Sequence, residues 1–177
     1  MSIVETVSPE RAAGKVAGVY AAIHQAMGRV PNGIRLFSSS PDLLEQMAAQ
    51  NGYYMKHPSL GFALLAMIRM LVSLENDCAY CVGMNESMLM HHAGFTPGQI
   101  SEAKQDPSRA ALCERDLAML LFVLKATDAP KSVAGADLDR LRALGWTDGD
   151  IVDALYHGAR NRAIDIMFDA LKVVSDF

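Results

Sequence analysis

Two cysteines stand three residues apart in the segment Asn76-Asp77-Cys78-Ala79-Tyr80-Cys81-Val82-Gly83-Met84-Asn85, and this is the one stretch of the chain with a chemical reading. On a helix, positions i and i+3 share a face, so the two sulfurs can approach each other. In the first turn of a helix their thiolates would face unpaired backbone N–H groups and the positive end of the dipole. Both lower a thiol pKa, and the thiolate is the nucleophile. One sulfur can then attack a peroxide or a disulfide, and the other can resolve the product. Asn85 lies four residues beyond Cys81 on the same face, which makes Cys78, Cys81 and Asn85 the candidate catalytic residues.

Other readings of these residue types compete with that one. A buried cysteine pair can be structural and never turn over. A structural zinc site takes four ligands, and no second C-x-x-C or C-x-x-H accompanies this one, so no metal is expected. His91 and His92 read as histidines at a helix C-terminus, where imidazolium suits the dipole. His157 could face the site, although a lone helical histidine is ordinarily structural. Cys113 reads as a core or helix-surface thiol. Arg69 interrupts an apolar helix and calls for a carboxylate partner or an oligomer interface.

The elements that must hold these residues are helical. Ala, Leu and Met together number 55, whereas Val, Ile and Thr number 24, which favours an all-α domain. Ser8-Pro9-Glu10 reads as a helix start, with Val16, Val19, Tyr20, Ile23 and Met27 at helical spacing up to Gly28. Val30-Pro31-Asn32-Gly33 reads as a turn. Ser40-Pro41-Asp42 opens a helix expected to break around Asn51-Gly52. The run from Leu60 to Leu74 is too short for a membrane span and contains Arg69, so it reads as a buried central helix. Glu75-Asn76-Asp77 breaks it, and a helix from Cys78 to about His92 follows, closed by Gly94. Thr96-Pro97-Gly98-Gln99 has capping-box form. Helices are then predicted over 114–127, 136–144 and 148–174. The whole reads as one domain over residues 1–177, all-α, with seven to eight helices.

Of the residues, 51% are hydrophobic and 20% charged, which excludes disorder, and the net charge of −4 gives no reason to expect nucleic acid or an anionic membrane as partner. No basic segment followed by an apolar core opens the chain, so the cytosol is the expected location. No G-x-G-x-x-G, G-x-x-x-x-G-K-[S/T], H-E-x-x-H or G-x-S-x-G occurs, so no nucleotide cofactor, and no cofactor of any other kind, is expected.

An apolar helix, a polar break, C-x-Y-C and a helix ending Ala93-Gly94-Phe95 together resemble the alkylhydroperoxidase D-like proteins, relatives of carboxymuconolactone decarboxylase. Gly28-Arg29-Val30-Pro31-Asn32 with Ser40-Pro41 is similar to the N-terminal signature of the peroxidase-related branch. Leu141 to Thr147 and Asn161-Arg162 are similar to its C-terminal half. The resemblance covers about residues 8–172. It implies an all-helical fold, a homo-oligomer (a trimer or hexamer) and a redox centre at the two cysteines, with Cys81 meeting the peroxide and Cys78 resolving. The helix-terminus argument favours Cys78 instead, so the roles stay open. The family histidine four residues after the second cysteine is Asn85 here, and the family glutamate falls on Ala66. Asparagine has no usable pKa to act as a base. The expectation is therefore a thiol-dependent oxidoreductase, weak in turnover, acting on organic hydroperoxides or a partner disulfide with a thiol reductant protein. The alternatives are a carboxymuconolactone decarboxylase-like enzyme and a non-catalytic redox-sensing oligomer.

Overall fold

The computed structural model describes residues 2–176, and every regular element among them is helical. The α-helices are α1 (Gly14–Met27), α2 (Asn32–Leu36), α3 (Pro41–Met55), α4 (Phe62–Glu75), α5 (Ala79–Ala93), α6 (Pro97–Gln105), α7 (Glu114–Asp128), α8 (Gly135–Ala143) and α9 (Asp148–Ala170). They fall into two compact units, one of residues 2–57 with 167–176 and one of residues 58–166. No helix among the described residues is long and apolar enough to cross a membrane.

In the second unit, α4 is the centre. Leu64, Leu65, Met67, Ile68, Leu71 and Val72 are all buried, so the helix is wrapped on nearly every side, and it packs against α5 and α7. Burying a run of Leu, Ile and Met side chains, each contributing about 1.5–3 kcal/mol, is what fixes its place. The helix punctuation behaves as its residues dictate. Gly94 ends α5 at φ 72°, and Thr96 and Gln99 form the reciprocal capping box of α6. Trp146, after α8, donates its indole N–H to the Arg115 carbonyl at 2.9 Å, with the Arg115 guanidinium 3.5 Å above the ring.

α9 crosses α4 and α7 at a glycine. A Cβ on Gly158 would stand 2.5 Å from Val123 Cγ1 and 3.4 Å from Ile68 Cγ2. The neighbour at 2.5 Å is a β-branched side chain with little rotamer freedom. Gly158→Ala is therefore expected to destabilise the protein by about 1–3 kcal/mol through overpacking. Gly52 in α3 has no neighbour within 4 Å of the same position. Gly52→Ala should stabilise by about 0.5–1 kcal/mol through lost chain entropy in the unfolded state. Paired urea melts of the two variants check both signs at once.

In the first unit the sequence expectations need correction at three places. The helix expected from Pro9 is only a 3-10 turn over Pro9–Arg11, and α1 starts at Gly14. The turn expected at Asn32-Gly33 is the helix α2, which raises the count to nine α-helices among the described residues. Its first free N–H, on Asn32, donates to Asp176 Oδ2 at 2.8 Å, and Arg29 donates to the Asp176 carbonyl. A partner 144 residues away cannot be read from local sequence. The break expected near Asn51-Gly52 does not occur, because α3 buries Leu44 and Tyr54 on either side of it and the packing outweighs one glycine. Ring contact between Phe37 and Phe168, 6.2 Å apart, ties the tail to this unit.

Candidate active site

Three residues, Asn76, Asp77 and Cys78, link α4 to α5. Asn76 ends α4, and Asp77 adopts φ 57°, a left-handed conformation that aspartate tolerates better than most side chains. The Cys78 N–H then reaches back to the Ser73 carbonyl at 3.0 Å. This sharp reversal leaves Cys78 at the N-cap of α5 and Cys81 in its first turn, where free N–H groups and the dipole act on both sulfurs. Both cysteines are free thiols, and both are buried, at 0% and 4% exposure. Cys113, by contrast, is exposed at the N-cap of α7.

A third group joins the pair. Asp165, on α9, is fully buried, and one of its carboxylate oxygens and the two cysteine sulfurs all lie within 4.8 Å of one another. Asp165 was not among the residues singled out from sequence. Its carboxylate is held by neutral donors: Ser73 Oγ donates to Oδ1 at 2.8 Å and Asn76 Nδ2 to Oδ2 at 2.9 Å. Asn161, one turn earlier on α9, donates to Ser73 Oγ at 2.7 Å and lies 3.3 Å from Oδ2. Among the described residues no cation shares the carboxylate, which lies against the two thiols. The cluster offers three atoms of metal-ligand type, one fewer than a closed structural zinc site takes.

This neighbourhood opposes ionisation of Cys81. Its hydrogen bond to Cys78, its burial and the adjacent Asp165 charge all push the Cys81 thiol well above the ordinary thiol value.

A second polar cluster surrounds Arg69. Its Nε donates to Asn85 Oδ1 at 2.7 Å, its Nη1 meets His157 Nε2 at 3.1 Å, and its Nη2 reaches only the Met88 sulfur, at 3.7 Å. Of the two partners expected for Arg69, a carboxylate or an oligomer interface, no carboxylate meets it among the described residues. Neutral acceptors on α5 and α9 take its place. Burial and the Arg160 charge push the guanidinium down to about 10, so it remains cationic at neutral pH. Asn85 is spent on both sides: besides accepting from Arg69, its Nδ2 donates to the Cys81 carbonyl at 2.8 Å. It therefore braces the first turn of α5 rather than pointing its amide at a sulfur. Ala66, where the resemblance would place a glutamate, is fully buried in α4.

His157 is drawn in as well. Arg69 has only donors, so Nε2 must be the acceptor of a neutral ring. Burial, with the Arg69 and Arg160 charges behind it, pushes His157 well below 6.5. The unfolded chain takes up this proton near the ordinary value and the folded chain does not. Stability is thus undiminished above about pH 6.5 and is expected to fall below it by up to about 1.4 kcal/mol per pH unit. Urea melts across that range should show the slope, and His157→Gln should flatten it.

The three inward polar residues of α9, His157, Asn161 and Asp165, recur every four positions, a signal present in the sequence. Its outward face is the reverse. Val152, Tyr156, Ala159, Ala163 and Ile166 alternate at spacings of four and three and are all exposed, with Val152 and Ile166 at 65%.

No family model matches the chain, and no curated protein matches it in sequence. Solved structures do match. One is an alkylhydroperoxidase AhpD core, an uncharacterized peroxidase-related protein from Ralstonia eutropha, at TM-score 0.87 and 23% identity, covering 99% of this chain and 92% of that one. Another is an uncharacterized peroxidase-related protein from Silicibacter, at TM-score 0.84 and 20% identity, covering 98% and 95%.

Proposed function

From this alkylhydroperoxidase D-like fold we propose that the chain is a thiol-dependent oxidoreductase that reduces organic hydroperoxides through Cys78 and Cys81. The observation that carries the reading is the convergence of two buried free thiols and a carboxylate at the start of α5. The Cys78 thiolate attacks the outer oxygen of the hydroperoxide; an S–O bond forms, the O–O bond breaks, and the alkoxide leaves as the alcohol after taking a proton. Cys81 then attacks the sulfenic sulfur, forming the disulfide and releasing water. A dithiol reductant, the partner this reaction requires, resets the pair, which suits a reducing compartment such as the cytosol. Turnover is slow, because Asn85 and Ala66 stand where the family places its proton relay and because the sulfurs are buried.

The same reading includes a homo-oligomer, supported by the exposed apolar stripe of α9, whose spacing is that of a helix seam. Tert-butyl hydroperoxide consumption with dithiothreitol as reductant tests the function. The chain should consume the peroxide and Cys78→Ser/Cys81→Ser should not; equal rates for the two would overturn the reading.

A further inference from the structure

The lost family relay raises the question of where the proton of Cys81 goes, since Cys81 must give it up before the disulfide can close, whichever sulfur meets the oxidant. We propose that Asp165 is the catalytic base for Cys81, taking its proton as the S–S bond forms and returning it to the leaving group. This rests on the thiol chemistry proposed above, but it concerns the closing step alone.

Three observations support it. Asp165 is the carboxylate that lies within 4.8 Å of both sulfurs, and it is fully buried, so bulk water does not compete for the proton. Ser73 and Asn76 fix its two oxygens separately, at 2.8 and 2.9 Å, and Asn161 fixes Ser73 in turn, so the carboxylate cannot rotate away. Among the described residues no Lys, Arg or His pairs with it; its partners are the neutral donors Ser73, Asn76 and Asn161. The candidate bases at the two family positions are absent: Ala66 has no polar side chain, and Asn85 is committed to Arg69 and to the Cys81 carbonyl.

The step balances. With Cys78 as a sulfenic acid, the Cys81 sulfur forms the S–S bond, the S–O bond breaks, and the departing hydroxide takes the proton that Asp165 received, giving water. Asp165 ends as it began, a carboxylate. With a mixed disulfide on Cys78, the S–S bond to the outer thiol breaks and the proton passes to that leaving thiolate, or to solvent when the thiolate is as weakly basic as thionitrobenzoate.

A carboxylate that only sits nearby would make a different prediction from one that accepts the proton. Removing its charge lets Cys81 ionise more readily, and more thiolate alone would speed closure. Removing a base slows it. The test uses the full chain carrying Cys113→Ser, with dithiobis(nitrobenzoate) as the probe: the first thionitrobenzoate released reports the attack of Cys78, and the second reports closure by Cys81. In Asp165→Asn the second release should slow about 100-fold, the lower end of what a positioned base contributes. In a Cys78→Ser background, the thiolate absorbance of Cys81 should titrate about one pH unit lower than with Asp165 present. Asp165→Ser, which leaves room for its donors, should behave the same way if the amide disturbs folding. Closure as fast as, or faster than, that of the parent chain in either variant overturns the proposal. Because the probe is not a peroxide, a chain that closes through Asp165 yet fails to consume tert-butyl hydroperoxide would refute the peroxidase reading and leave this one standing.

Discussion

Cys78→Ser and Cys81→Ser are each expected to abolish hydroperoxide turnover, but they should stop it at different points. Cys78 sits at the N-cap of α5, beside unpaired backbone N–H groups, whereas burial and its neighbours push the Cys81 thiol up. Without Cys78, the chain keeps a buried thiol that Asp165 holds protonated, so the first step fails and no sulfenic acid forms. Without Cys81, the first step proceeds and halts, and dimedone should trap a sulfenic acid on Cys78. Turnover should fall by at least about 100-fold in both, because each removes a group that makes or breaks a bond. Stopped-flow peroxide loss and mass spectrometry of the dimedone adduct check it. A dimedone adduct on Cys81 in Cys78→Ser would assign the roles the other way round, as the family resemblance implies.

Ala163→Glu is expected to convert the proposed homo-oligomer into a single chain of 19.2 kDa. Ala159 and Ala163 lie at the middle of the outward face of α9, between Tyr156 and Ile166. Small residues there let a second helix approach closely while the larger ones flank it. Glutamate is a good helix former and the position is exposed in the isolated chain, so the fold should survive the change. A charge desolvated in the seam with no partner would not be tolerated. Light scattering coupled to size exclusion gives the mass directly. An unchanged mass above that of one chain would place the interface elsewhere, and a parent chain already at 19.2 kDa would remove the oligomer from the account.

Fold class and helix limits were legible wherever local chemistry decides them. Gly94, the Thr96–Gln99 box and the Pro41 start each act through neighbours a few residues away, and each lies where its sequence signal points. Two of the misreadings share one cause. α2 depends on Asp176, which no local pattern could announce, and α3 runs through Gly52 because burial on both sides outweighs propensity. The site was half legible for a related reason. Cys78 and Cys81 carry their own spacing, but Asp165 is brought to them by a helix that begins 67 residues after Cys81. α9 also runs against the ordinary pattern: its polar line at 157, 161 and 165 faces inward and its apolar line faces out. A reader who assumes that apolar faces point to the chain's own core would place Asp165 in solvent. For Arg69, the expectation of a carboxylate or an oligomer interface left out that a neutral imidazole and an amide oxygen can satisfy a guanidinium.

The most direct test of the central claim is a thiol count on the reduced chain before and after one equivalent of tert-butyl hydroperoxide, with the surviving thiol located by peptide mapping. Three free thiols are expected before and one after, the survivor being the exposed Cys113 and the new bond joining Cys78 to Cys81. Three thiols still free after the peroxide, or a product oxidised at Cys113 alone, would contradict it.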